Sequence, residues 1–286
     1  MSGLIAVTIA VMTWWFATGL VMLFARFGAV RAGMVMAIVS VIAIGGITAL
    51  ALSAGSASEG AAYAAFFGAL AVWAWHETAF LLGLVTGPRR VGLHQSPSEK
   101  SRFRAAFKTV RDHEVVLALT ALVFVVLLHD AQNTVGVWTF VLLWGMRLSA
   151  KVNIFLGAPH AVNDLLPHHL AYLESYYRTD RLSPVFAMSL ILCLLTLASF
   201  TVAAFVSASE HDVVKWSLLA SFAGLALIEH AFLVLPVRDS RLWTWALRIC
   251  PAKTRLGEEE GRSTAPIKDN CAATAGAKTK GTVSWI

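Results

Sequence analysis

Two acid–histidine pairs stand inside apolar stretches of this sequence. His76-Glu77 lies within residues 61–86, and Glu229-His230 within residues 216–236. Each is followed some ten residues later by a basic exit, Arg89-Arg90 in one case and Arg238 in the other. Ionisable side chains at such depth in hydrocarbon are costly, so each must face protein, water, a metal or a bound ligand. A third pair, His113-Glu114, opens another apolar stretch. Three chemistries suit imidazole beside carboxylate. One is a metal centre, mono- or dinuclear, holding iron or zinc, with His76, Glu77, His113, Glu114, Glu229 and His230 as candidate ligands. A second is ligation of a haem or pigment by one histidine, His76 or His230, with Glu77 or Glu229 orienting the ring. A third is a proton relay. The purely structural alternative is that each pair hydrogen-bonds neighbouring helices, worth on the order of 0.6–2 kcal/mol per bond.

The spacing selects none of these. Neither Glu-x-x-His nor His-x-x-x-His occurs, and adjacent residues on a helix diverge by about 100°, so one pair does not chelate an ion unaided. His113 and Glu114 are expected at a helix start, where interface and dipole tolerate charge. His160, His168 and His169, with Asn163 and Asp164, fall in a proline-bounded loop and read as solvated; His94, His129 and His211 read as non-ligands.

The elements that must position these groups follow from composition. Hydrophobic residues make up 57% of the 286 and charged residues only 14%, which excludes an ordinary soluble domain and fits an all-α polytopic membrane protein. Seven segments approach the about 20 residues that cross a bilayer as helix: 4–25, 34–54, 61–86, 113–131, 135–157, 184–207 and 216–236. The first reads as a retained span rather than a signal peptide. Apart from Lys215, and from Arg147 and Lys151 toward the end of segment 135–157, every Lys and Arg falls on one set of alternate loops or in the tail. The positive-inside rule then predicts an N-terminus outside and a C-terminus in the cytoplasm. That orientation places the acid–histidine pairs in the cytoplasmic third of the membrane. The basic loop 87–112 marks topology and contact with anionic lipid.

Residues 1–250 therefore read as one seven-helix transmembrane domain. Its last part, Asp239 to Cys250, reads as an interfacial helix anchored by Trp243 and Trp245, with Arg241 and Arg248 on one face. Residues 251–286 lack an apolar period and read as a disordered cytoplasmic tail. Cys193, Cys250 and Cys271 are isolated, so no thiolate metal site or disulfide framework is indicated. No nucleotide-binding glycine loop, nucleophile elbow or nucleic-acid module occurs.

Several phrases resemble one family. Trp75-His76-Glu77, Phe80-Leu81, Gly83 and Gly87-Pro88-Arg89 are similar to a span ending in PuhE, the photosynthetic complex assembly protein 2 family of phototrophic proteobacteria. Residues 144–151 with Asn153 and Gly157-Ala158-Pro159-His160, then residues 167–178, resemble its central motif; Glu229-His230, 232–236 and Leu242-Trp243 resemble its ending. The resemblance covers about residues 60–247. It implies a multi-pass protein of the bacterial inner (cytoplasmic or photosynthetic) membrane that serves reaction-centre assembly or bacteriochlorophyll supply. Photosynthetic complex subunits or pigment-biosynthesis enzymes are then the implied partners, beside membrane lipids, and a tetrapyrrole or carotenoid the implied hydrophobic ligand. A membrane-embedded metal-dependent enzyme modifying a tetrapyrrole or other hydrophobic substrate is the alternative. No catalytic residue set is carried over.

Overall fold

In the computed structural model, residues 1–93, 98–161, 166–236 and 242–249 are described, and all regular structure among them is helical. The first helical stretch, Ser2–Ser53, bends where Arg31 leaves helical geometry (φ −141°, ψ 49°). It thereby divides into α1 (Ser2–Phe27) and α2 (Arg31–Ser53). Five long helices follow: α3 (Glu59–Leu81), α4 (Glu99–Leu128), α5 (Val135–Leu156), α6 (Pro184–Val206) and α7 (Glu210–Phe232). A 3₁₀ segment, His168–Tyr176, lies between α5 and α6, and the short α8 (Thr244–Ile249) closes the described chain. Five of the helices, α1, α2, α5, α6 and α7, are long and apolar enough to cross a membrane.

Local chemistry sets the ends. Ser58, Ser183 and Ser209 cap α3, α6 and α7 by accepting backbone N–H bonds, and Pro184 occupies the first turn of α6. α3 was expected to run to residue 86 but stops at Leu81. Gly83 adopts φ +74°, with its N–H on Phe80 O (2.8 Å) and that of Leu84 on Ala79 O (3.0 Å). This is a Schellman turn, which ends a helix in the left-handed conformation that glycine alone adopts cheaply. α7 starts at Glu210 rather than 216, because Ser209 caps it and Glu210 and Asp212 favour the positive end of its dipole.

α4 differs most from expectation. It starts at Glu99, not His113, so His113 and Glu114 lie mid-helix. Residues 99–112 look like a charged loop, yet Phe103, Ala106 and Val110 recur at helical spacing. That face packs with Phe80, Phe155, Leu170, Leu173 and Tyr176, so the segment is an amphipathic half-helix covered by the 3₁₀ segment. Polar bonds fasten this cap: Arg89 Nε donates to Tyr176 Oη (2.5 Å), Tyr176 Oη donates to Val91 O (2.7 Å), and Arg102 donates to Tyr177 O (2.9 Å).

Contacts between helices show alternating direction. α2 meets α3 antiparallel, through Ser40–Trp75 (2.9 Å) at one level and Gly46 against Gly68 at another. α3 and α5 run parallel, with Ala65 near Gly136, Trp73 on Phe140 and Glu77 facing Arg147. α5 and α7 run parallel as well: Lys215 reaches Thr134 (3.0 Å) and His230 reaches Ser149 (3.0 Å). α1 lies alongside α7, with Ser2 on Glu210 and Trp14 on Glu229. The shared core holds Phe66, Leu117, Phe140, Val214, Leu218 and Phe222.

The terminal tryptophans pack against α1. Trp243 is buried, meets Trp14 edge-on at 5.4 Å and donates to Trp15 O (2.9 Å); Trp245 stacks on Phe16 at 5.8 Å. α8 is thus docked on α1, because Gly19 leaves the space that the Trp245 ring fills. Arg241 and the expected tail 251–286 lie outside the described residues.

The Gly46–Gly68 approach gives a direct test. A Cβ at residue 68 would stand 2.6 Å from Gly46 O, so Gly68→Val is expected to destabilise the detergent-solubilised protein by about 1–3 kcal/mol or more. Gly45→Ala, with nothing near its new methyl, is expected to be neutral or slightly stabilising. Thermal unfolding of the two variants beside the parent checks this.

Candidate functional site

The pairs predicted from sequence lie on α3, α4 and α7, and α5 stands between them. Their neighbours decide what each can do. Glu77 is buried and faces two cations or potential cations: Oε2 is 3.6 Å from an Arg147 guanidinium nitrogen and Oε1 is 3.7 Å from His113 Nε2. Both contacts are longer than direct hydrogen bonds, and Glu77 Oε1 and His113 Nε2 are buried without a hydrogen-bond partner. His113 packs its ring on Phe80 at 4.7 Å. Glu114 points elsewhere. Its Oε1 takes a 2.6 Å bond from Lys151 Nζ and its Oε2 a 3.2 Å bond from Trp144 Nε1.

The histidines are satisfied differently. Thr120 donates its single proton to Val116 O (3.0 Å), so His76 Nε2–H, 3.1 Å away, donates to Thr120 Oγ1. His230 Nδ1–H donates to Ala226 O (2.8 Å), leaving Nε2 to accept from Ser149 Oγ (3.0 Å). Both ring nitrogens of His230 are therefore used by protein. Glu229 turns away from it and accepts from Trp14 Nε1 at 3.2 Å on α1. Glu77, Glu229 and Glu114 all lie within electrostatic reach of Arg147.

The structure thus brings Glu77 and His113 together, sets Glu114 one helical step aside, and separates His76, Glu229 and His230 onto other partners. Among the described residues, no three His, Cys, Asp or Glu side chains group to hold a metal ion. The donor set fits iron or zinc poorly on chemical grounds too. The Glu114 carboxylate is taken up by Lys151 and Trp144, and Glu77 faces Arg147 rather than a free coordination space.

Sequence reasoning undervalued α5. Arg147, Ser149 and Lys151 are the residues through which α3, α4 and α7 are joined, and Trp14 and Thr120 complete the polar level. The signal was available: Arg147 and Lys151 are four apart in an apolar helix, which puts them on one face, and intramembrane cations need partners. Of the remaining histidines, His129 is exposed beside Asp130 (2.8 Å), His160 and His168 are exposed, and His169 is exposed against Gly83. His211 is buried, 3.3 Å from Asn133 Oδ1; Asn133 in turn donates to Ala61 O (2.7 Å), so the residue fastens loops at the far end. His94, Asn163 and Asp164 lie outside the described residues. Just below the site, burial pushes the Tyr177 phenol up to about 12, keeping it a neutral neighbour of Arg147.

A family model described as "Protein of unknown function (DUF3623)" matches residues 1–254. The chain belongs to the DUF3623 family. It is 36% identical over 265 residues, 91% of this chain and 96% of the relative, to an "Uncharacterized 30.4 kDa protein in puhA 5'region" of Rhodobacter capsulatus. No solved structure matches. The DUF3623 match ends shortly after α8, so most of the region beyond residue 251 falls outside the family model.

The Glu114–Lys151 pair supplies the test of this arrangement. Lys151→Met leaves a buried carboxylate uncompensated and is expected to cost about 3–5 kcal/mol. Adding Glu114→Gln to the same chain is expected to restore most of that loss. A double-mutant cycle on thermal stability reads the coupling; additive losses would show that the pair does not act as one unit.

Proposed function

We propose that this chain is an integral membrane factor of the photosynthetic complex assembly (PuhE) type, serving reaction-centre assembly or bacteriochlorophyll supply. The observation that carries the reading is the near full-length relative encoded 5′ of puhA, in a photosynthesis gene cluster. The apolar helices support placement in a bacterial membrane, which we take to be the inner or photosynthetic membrane. Partners on this reading are photosynthetic complex subunits or pigment-biosynthesis enzymes.

We take the seven long helices to be seven spans with the N-terminus outside and the C-terminus cytoplasmic. The common direction of α1, α3, α5 and α7, opposite to that of α2, supports this, as does the gathering of the loop and tail Lys and Arg, Lys215 excepted, on one set of alternate loops. Read so, the Glu77–Arg147 and Glu114–Lys151 pairs act as a charge-balanced lock holding α3, α4 and α5 in register. The enzyme alternative is less well supported, because the carboxylates it needs as ligands are held by cations. Pigment ligation by His230 is disfavoured for a similar reason, since Ala226 and Ser149 occupy its nitrogens.

The test is deletion of the related gene in a phototrophic host, with complementation by this chain and its variants. Loss is expected to lower reaction-centre yield several-fold while bacteriochlorophyll intermediates stay unchanged, and His76→Ala is expected to leave pigment chemistry intact. Accumulation of a defined tetrapyrrole precursor, together with stoichiometric iron or zinc in the purified protein, would replace this reading with the enzyme. For orientation, a fluorescent protein fused after residue 250 is expected to fluoresce, and alkaline phosphatase there to be inactive; the reverse pattern inverts the topology.

A further inference from the structure

The outward face of α4 changes character along its length. Arg104, Lys108, Arg111, Val115, Leu119, Leu122 and Val126 fall within a strip about 80° wide at 3.6 residues per turn. All seven are exposed. The opposite face, with Ala106, Val110, His113, Leu117, Ala121 and Phe124, is buried in the bundle and under the cap. The strip is basic over its first two turns and wholly apolar from Val115 onward. Among the described residues Arg111 has one acidic partner, Asp112 at 2.8 Å, in a pair that is about half exposed (49% and 48%). Arg104 and Lys108 have no acidic partner among the described residues.

We propose that this strip seats α4 on an anionic phospholipid leaflet, with Arg104, Lys108 and Arg111 on the headgroup phosphates and Val115 to Val126 against the acyl chains. Continuity argues for lipid rather than a soluble acidic partner, because the basic patch runs without a break into a surface that suits only hydrocarbon. Length agrees. Val115 to Leu127 spans about 18 Å at 1.5 Å per residue, short of the roughly 30 Å hydrocarbon thickness, and long basic side chains reaching along the helix to the headgroups shorten that gap. The boundary between Arg111 and Val115 then places Glu77, His113, Glu114, Arg147 and Lys151 about one turn inside the headgroups. The cap, with residues 99–110 of α4, lies in the aqueous layer. The inference is independent of the assembly reading; it needs only that the chain is a membrane protein.

The experiment uses the full chain reconstituted in phosphatidylcholine bilayers with trace spin-labelled phosphatidylglycerol or phosphatidylcholine. The fraction of each label immobilised at the protein surface is measured. The intact chain is expected to prefer phosphatidylglycerol by roughly fivefold or more, the scale of one or more basic side chains at an anionic surface. Arg104→Gln/Lys108→Gln/Arg111→Gln is expected to abolish the preference, with Lys108→Gln alone giving a partial loss. Arg104→Lys/Arg111→Lys, which keeps the charge, is expected to retain it. No preference in the parent, or a preference unchanged in the triple variant, overturns the proposal. Displacement by inorganic phosphate beyond that by sodium chloride of equal ionic strength also overturns it, since it marks a free-phosphate site.

Discussion

Two buried carboxylates that must be neutralised in a medium of low dielectric set the terms for the rest of this structure. Glu77 on α3 and Glu114 on α4 cannot stay charged there without cations, and α5 supplies both, Arg147 for the first and Lys151 for the second. The four-residue spacing puts the two cations on one face of α5, so satisfying one pair brings the other into reach. α3 and α4 are thereby held at one level against α5, and Ser149, between the two cations in sequence, fastens α7 through His230. A slip of one turn along α5 would leave one of the two carboxylates without a cation. In a membrane, where apolar surface gives helices little preference for one another over lipid, such a lock sets register more sharply than the aliphatic contacts can.

The two acid–histidine pairs look equivalent in sequence and are not equivalent in space. Both sit on helices that run in the same direction as α5, at the same level. Their order is reversed, however, His-Glu on α3 and Glu-His on α7, and neighbouring residues diverge by about 100°. On α3 the glutamate faces α5 and the histidine reaches Thr120 on α4. On α7 the histidine faces α5 and the glutamate reaches Trp14 on α1. The helix thus splits each pair between two neighbours.

What was legible in the sequence follows from which signals are local. Apolar runs marked the long helices, because a helix in lipid must be apolar over most of its surface. The level of the polar groups was also readable, since position in a run is depth. The α4 start at Glu99 was misread because charge density stood in for loop, while the buried Phe103, Ala106 and Val110 face depends on a 3₁₀ segment some sixty residues away. Trp243 and Trp245 were read as membrane anchors because an aromatic near a basic end usually is one; their docking on α1 depends on Gly19 and cannot be seen without the fold. The pairing of Glu77 with Arg147 is likewise a long-range fact, though the presence of two cations in an apolar helix required that some partner exist.

The way the polar level is closed bears on what kind of protein this is. A catalytic or ligand-transfer centre keeps at least one group uncommitted for the incoming molecule. Here the carboxylate of Glu114, both nitrogens of His230 and Nε2 of His76 are committed internally, while Glu77 Oε1 and His113 Nε2 are buried without a hydrogen-bond partner. Chemistry turned inward in this way stabilises a shape. The surfaces left to meet other molecules are the cap beneath the bundle, the basic-to-apolar strip of α4 and the outer faces of α1, α2 and α6, where exposed aliphatic side chains dominate.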